Sequence, residues 1–254
     1  MPFIELFILI IVLAFICEYV DSSLGMGYGT TLTPLLLIMG YNPLQIVPAV
    51  LLSELITGLT AGFLHHKVKN VNLKPGTRAF KIAALMGACS VFGALVAVLI
   101  AINLPKFYIK LYIGIVVLAM GIFILASLKR TFLFSWKKIT SLGLLAAFNK
   151  GISGGGYGPL VTSGQILSGI NPKNAIGITS LAEGLTCLVG VIMYLAFTDH
   201  TIDWHLAPSL VLGALLSVPF AALTVKKVKE RGLKLIVGVA TLILGALTLG
   251  KLIF

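Results

Sequence analysis

DSSLGMGYGTTLTP, residues 21–34, and KGISGGGYGPLVTS, residues 150–163, decide the fold, because the second stretch repeats the first and the surroundings repeat with it. At a constant offset of 129 residues, without a gap, Gly25 falls on Gly154, Gly27-Tyr28-Gly29 on Gly156-Tyr157-Gly158 and Gly40 on Gly169. Asn42-Pro43 falls on Asn171-Pro172, Glu54 on Glu183 and Thr57 on Thr186. Glycines, an Asn-Pro pair and a glutamate in register over so long a stretch are the mark of an internal repeat. The chain reads as one unit written twice, over about 1–130 and 131–254.

Of the 254 residues, 58% are hydrophobic and 11% charged, with a mean hydropathy of +1.07. A soluble domain of this size has no interior for so much apolar surface. The composition predicts an all-α integral membrane protein, with residues 1–254 as a single transmembrane domain whose halves depend on each other. Net charge is +11, but the Lys and Arg residues fall mostly in short loops between apolar runs. There they set topology and meet anionic headgroups, which argues against nucleic acid as a partner. Cys17, Cys89 and Cys187 are scattered in apolar runs and read as small packed hydrophobes. The Met1–Glu5 segment has no Lys or Arg before its apolar stretch, so the first run is expected to be retained rather than removed as a signal peptide.

Long apolar runs occupy 3–20, 43–64, 80–102, 107–128, 139–149, 172–197, 206–224 and 232–253, and shorter ones follow the glycine motifs at 30–40 and 159–169. That is five elements per half. A run of about 22 residues spans the ~30 Å hydrocarbon core, whereas one of about 11 rises only ~16 Å, so the short segments are expected to be half-helices. Asn42 and Asn171 suit N-caps, Pro43 and Pro172 suit the first helical position, and the glycines between each first helix and its half-helix permit a sharp reversal. Such irregular backbone is stable within a membrane only inside protein or beside a cavity. Lys67, Lys69, Lys74, Arg78 and Lys81 mark one loop, Lys129, Arg130, Lys137 and Lys138 a second, and Lys226, Lys227, Lys229, Arg231 and Lys234 a third. All three are expected to be cytoplasmic, with the N-terminus and the 198–205 loop outside. Because 65–81 is basic and its equivalent 198–205 is not, the two five-element repeats are predicted to be inverted. The tips of two hairpins would then meet near the midplane, offering two helix N-termini to an anion.

Four ionisable positions stand inside apolar surroundings. Asp21 and Lys150 occupy equivalent places before the two motifs. Lys150 is a candidate to attract an anionic substrate or to pair with Asp21, or else to snorkel toward the interface. Glu54 and Glu183 lie about three turns into spanning helices, each with a threonine three residues on. Burying a carboxylate there is costly enough to favour protonation, pairing or hydration, so Glu54, Glu183 and Asp21 are candidates for proton coupling or gating. Ser22, Ser23, Gly25, Gly27, Tyr28, Gly29, Thr30, Thr31, Lys150, Gly154, Gly156, Tyr157 and Gly158 are candidates to line a substrate site. Glu18 has no assignable depth from the sequence, and His65, His66, His200 and His205 read as loop residues. No metal-ligand spacing, catalytic triad, P-loop or dinucleotide fingerprint is present, so neither a cofactor nor a catalytic residue is expected.

The run Asp21–Pro34, followed by Asn42-Pro43 and the Ser53-Glu54 helix, resembles the sulfite exporter TauE/SafE family of membrane permeases, and Lys150–Pro159 with Asn171-Pro172 is similar to that family's second repeat. The resemblance covers essentially the whole chain. It implies secondary transport of sulfite, a sulfonate or a related small anion across the cytoplasmic membrane, with proton coupling and alternating access. Pro159 stands where the first motif has Thr30, so the two half-sites are expected to be unequal. Two other functions share some of these features. An anion channel would have the same pore chemistry without alternating gates. An intramembrane lipid phosphatase would need an arginine clamp, and Arg78, Arg130 and Arg231 all lie in loops.

Overall fold

The computed structural model describes residues 3–25, 28–41, 43–101, 106–126, 133–153, 157–197 and 202–253. Among them are ten helices and no strand: α1 Phe3–Leu24, α2 Tyr28–Ile38, α3 Pro43–Lys67, α4 Arg78–Ala101, α5 Lys106–Ala126, α6 Trp136–Ser153, α7 Tyr157–Leu167, α8 Pro172–Phe197, α9 Ala207–Lys227 and α10 Glu230–Ile253. The half-helices α2 and α7 are 11 residues each. Both begin two residues before the apolar runs do, because the Tyr-Gly pair of each motif is already helical. Pro43 and Pro172 open α3 and α8 as expected, and Asn171 Oδ1 caps α8 by accepting the Lys173 N–H at 2.9 Å. Asn42 lies outside the described residues, as do Gly27, Gly154 and Gly156.

The two copies end their half-helices alike. Gly40 and Gly169 take φ of +94° and +84°, and the next N–H folds back across the last turn, Tyr41 N to Leu36 O at 3.1 Å and Ile170 N to Gln165 O at 3.0 Å. This left-handed termination is one that glycine adopts without a Cβ penalty. Gly25, at φ +70°, ends α1 in the same manner.

Small residues set how the helices cross. Gly58 packs on Gly184, Gly62 on Leu181, Leu51 on Gly190 and His65 on Gly177; numbers rise along α3 as they fall along α8, so these two helices run antiparallel. α5 and α10 do the same, with Leu118 on Gly245, Gly121 on Leu242 and Ile124 on Gly238. By contrast α1 and α9 run parallel, joined by Ile11 against Gly213, Phe15 against Phe220 and a 2.9 Å hydrogen bond between the Tyr19 and Thr224 hydroxyls. α4 and α6 are also parallel, with Cys89 on Gly143 and Gly93 on Ala147. Gly87, Gly93, Gly121, Gly213, Gly238 and Gly245 each have a neighbour pressed against the position a Cβ would take, the small-residue packing by which helices associate where lipid gives no hydrophobic drive.

Among the described residues, four helical segments are long and apolar enough to cross a membrane: Glu5–Leu24, Gln45–Lys67, Pro172–Ala196 and Ala207–Lys227. Large apolar side chains point outward from them and from α4, among them Phe63, Phe92, Leu216 and Phe220. In water such a surface would drive aggregation; facing acyl chains it is at home. Before α9, the Asp203 carboxylate accepts the N–H groups of His205 at 2.9 Å and Leu206 at 3.2 Å, and Gln45 Nε2 donates to it at 3.0 Å. Partial burial and this carboxylate together push the Tyr41 phenol above its ordinary pKa.

Candidate functional site

Polar side chains gather where α1, α2, α3, α6 and α8 meet. Lys150, near the end of α6, donates to Glu54 Oε2 at 2.5 Å and to Glu183 Oε1 at 2.9 Å, and all three side chains are 7% exposed or less. A buried ammonium between two buried carboxylates is the arrangement that makes desolvated charge tolerable, since each group keeps hydrogen-bonded counter-charge. Of the three sequence readings of Lys150, the structure supports neither pairing with Asp21 nor snorkelling. The lysine is held by the two equivalent glutamates.

Glu54 is the most heavily engaged of these residues. Its Oε1 accepts the backbone N–H of Gly29 at 3.1 Å, in the first turn of α2, and its Oε2 accepts Cys187 Sγ–H at 3.4 Å besides Lys150. Next to it, Tyr28 N–H donates to Asp21 Oδ1 at 3.4 Å. The N-terminus of α2 was expected to offer free N–H groups to a ligand. It presents them to the protein's own carboxylates, which are drawn there by the same partial positive charge.

The other candidates divide. Ser22 donates to Glu18 Oε1 at 2.6 Å and Ser23 to the Tyr19 carbonyl, so both hydrogens are committed within α1. The Tyr28 hydroxyl bonds Ser53 Oγ at 2.9 Å. Tyr157 and Gly158 are buried, whereas Thr31 faces outward; the Thr30 side chain is outside the described residues. Gly25 sits against Thr162, whose hydroxyl donates to its carbonyl at 2.6 Å and approaches Thr179 Oγ1 at 2.9 Å, tying the first hairpin to α7 and α8.

A cavity of about 10 Å³, the space one water-sized sphere fills, lies inside this cluster. Its walls carry four carboxyl groups, those of Glu18, Asp21, Glu54 and Glu183, and the hydroxyls of Ser22, Thr57 and Ser180. Glu18 belongs to the site, with 1% exposure. The sequence left its depth open, because a residue two from the end of the 3–20 apolar run is interior or interfacial according to how the helix is tilted and how far it continues. Among the described residues no group of three or more His, Cys, Asp or Glu side chains is placed to hold a metal ion.

His65 departs from its reading as a loop residue. It ends α3 fully buried, with Nε2 at 3.0 Å from the Ser22 carbonyl and Nδ1 at 3.0 Å from Asn70 Nδ2. A carbonyl only accepts and an amide NH₂ only donates, so the ring is the neutral Nε2–H tautomer. Asn70 spends its other hydrogen on the Ala222 carbonyl at 2.8 Å, closing a latch between α1, α3 and α9 directly beneath the acidic cluster. Beyond it opens a groove of about 550 Å³ lined by His66, Lys67, Lys69 and Lys74. Arg78 lies over the Phe134 ring at 4.9 Å, occupied outside the cluster.

The sulfite exporter TauE/SafE family model matches residues 10–248, which is nearly the whole chain. A probable membrane transporter protein of Bacillus subtilis (strain 168), YtnM, is 30% identical over 268 residues, covering 94% of this chain and 82% of that protein. No solved structure matches.

Proposed function

The chain belongs to the sulfite exporter TauE/SafE family and is a multi-pass membrane transporter, and from that premise we propose that it carries a small sulfur-containing or organic anion, such as sulfite or a sulfonate, in exchange for the carboxylate of Glu54. The observation that carries this reading is the double engagement of Glu54. One protein carboxylate holds both the Lys150 ammonium at 2.5 Å and the Gly29 N–H at 3.1 Å. A cation and a helix N-terminus aimed at one point form an anion site, and the protein occupies it with its own anion. A substrate anion enters by displacing Glu54, and the freed carboxyl, surrounded by Asp21, Glu18 and Glu183, takes up a proton. Anion and proton then move together, with Asp21 and Glu183 completing the gate.

The antiparallel course of α3 against α8 and of α5 against α10 supports inverted repeats over about 1–130 and 131–254, since these are equivalent elements of the two copies. Exchanging the copies turns the parallel α1–α9 pair into α6–α4, which is parallel as well. Alternating access by rocking one repeat on the other follows from that symmetry. In this reading residues 1–254 form one domain in the cytoplasmic membrane with the N-terminus outside, and the groove at Lys67, Lys69 and Lys74 collects anions at the cytoplasmic mouth.

The test is uptake of radiolabelled sulfite into proteoliposomes under anoxia, with and without unlabelled sulfite inside. The carrier reading expects saturable counterflow that Lys150→Met removes. Flux rising linearly with concentration without counterflow would make the protein a channel, and undiminished flux in Lys150→Met at equal reconstitution would end the role given to that lysine.

A further inference from the structure

We infer that Glu18 is the proton-carrying group of this transporter: in the conformation described here its Oε2 bears a hydrogen, which it gives up to Glu54 when that carboxylate leaves Lys150. This deepens the transport reading and rests on it for the coupling, but the protonation stands on the geometry of the cavity alone.

Hydrogen accounting leads there. Glu18 is 1% exposed, and its Oε2 has no hydrogen-bond partner of ordinary geometry among the described residues, although Glu18 borders the small cavity. Each hydroxyl around that cavity gives its hydrogen to an atom other than Glu18 Oε2. Ser22 donates to Glu18 Oε1 at 2.6 Å, Thr57 to the Ser53 carbonyl at 3.0 Å and Ser180 to the Ile176 carbonyl at 3.1 Å. What they turn toward the cavity is lone pairs. An ionised Glu18 would aim an anionic oxygen at a space walled by acceptors and by three further carboxyl groups, the costliest arrangement available to a buried charge. A protonated Glu18 supplies the missing donor itself, and the Thr57 hydroxyl that lines the same cavity, its own hydrogen already given to Ser53, is the acceptor we assign to it. The same lone-pair wall disfavours a bare anion in this cavity and leaves the Lys150 side of Glu54 for the substrate.

The surrounding charges agree. Asp21 shares α1, Glu54 comes from α3 and Glu183 from α8, against the one ammonium of Lys150 from α6. Four carboxyls on one cation leave three charges in excess if all ionise, so protons are needed. No second cation offsets them among the described residues nearby: His65 on α3 is the neutral tautomer between the Ser22 carbonyl and the Asn70 amide, Cys187 on α8 and Cys17 on α1 add thiols, α2 and α7 add the Tyr28 and Tyr157 phenols, and the charges of α9 and α10, Lys226, Lys227, Glu230, Arg231, Lys234 and Lys251, lie near the ends of those helices. The transfer moves one proton and no electrons. The Glu18 O–H bond breaks as an O–H bond forms on Glu54, and the total charge of the cluster is unchanged until the proton leaves with the next opening.

Infrared difference spectroscopy of the purified protein in lipid, titrated with pH and without substrate, reads the protonated carboxyl C=O stretch directly. Wild type is expected to show that band at neutral pH, and Glu18→Gln to lack one component of it; an unchanged band in Glu18→Gln overturns the proposal. If Glu18→Gln does not fold, Thr57→Val decides, because removing the acceptor must shift the stretch, and an unshifted band counts against Glu18. In proteoliposomes, the pH-gradient stimulation of sulfite uptake relative to counterflow is expected to be lost in Glu18→Gln, and retained stimulation refutes the coupling role. Should wild type carry no sulfite, the substrate reading fails while the infrared result still decides Glu18.

Discussion

Replacing Lys150 by Met removes the one ammonium that two buried carboxylates share, at 2.5 and 2.9 Å. The side chains are nearly isosteric, so packing is kept and the loss is electrostatic. Glu54 retains the Gly29 N–H and the Cys187 thiol; Glu183 loses the ammonium that Oε1 accepted. Breaking a buried ion pair by deleting one partner costs about 3–5 kcal/mol, most of it the penalty for the charge left behind. At about 2–4 °C per kcal/mol for a chain of this size, the expected fall in Tm is about 6–20 °C. Thermal unfolding in detergent, followed by loss of the monodisperse peak on size-exclusion chromatography, measures it. If the penalty is the orphaned carboxylates, then Lys150→Met combined with Glu54→Gln and Glu183→Gln recovers most of the loss, because the two carboxylates that lost their cation are gone with it. A Lys150→Met protein melting within about 2 °C of wild type, or a triple variant no better than the single, would refute the charge accounting.

Other substitutions test the packing. A Cβ at Gly58 would stand 2.8 Å from both Gly184 N and the Ser180 carbonyl, backbone atoms that cannot turn aside, so Gly58→Ala is expected to cost about 1–3 kcal/mol and Gly58→Leu to prevent assembly, seen as lost monodispersity. Gly40→Ala meets no neighbour but is strained at φ +94°, and a Tm loss of a few degrees measures that strain by itself. Thr162→Val deletes hydrogen bonds to Gly25 and Thr179 at about 1–3 kcal/mol, since the Gly25 carbonyl is left buried without its donor. The loss should appear as faster amide exchange in the α1–α2 connection.

Much of the fold was legible because duplication and hydrophobic length are one-dimensional signals. The half-helices and the Pro-initiated α3 and α8 could be located by position, and the aligned Gly40 and Gly169 proved to end the half-helices alike. What could not be read was which side chains meet. Lys150 has Asp21 as its equivalent in the repeat, yet it reaches Glu54 and Glu183, because the partner is set by how α3 and α8 cross at Gly58 and Gly184, and a crossing point has no local sequence signature. Glu18 stayed ambiguous for the same reason. His65 was misread because two adjacent histidines before a lysine-rich loop look interfacial, whereas the last turn of α3 rolls His65 inward onto Ser22 and leaves His66 to the loop, where its ring accepts the Leu73 N–H at 3.2 Å.

The glutamates are duplicated and the lysine is not, and the geometry explains why one cation suffices. Glu54 and Glu183 are equivalent residues on antiparallel helices, close enough to the crossing that both reach one Nζ. In inverted repeats, position 150 and its equivalent, 21, would approach that crossing from opposite sides. A lysine at both would set two ammonium groups against the same pair of glutamates, and an aspartate at both would leave the glutamates with no cation at all. Unlike residues give a single shared cation, with Asp21 turned to the Tyr28 N–H of its own hairpin. If the repeats are related by a two-fold axis through this point, the site should tolerate being inverted. Lys150→Asp alone is expected to be the most destabilised variant of the cluster, since it adds an anion where a cation was removed. Adding Asp21→Lys to it should restore much of the Tm by delivering an ammonium to the same two glutamates from the other side. A double variant that melts no higher than Lys150→Asp alone would mean that positions 21 and 150 are not equivalent in space, whatever their register in the sequence.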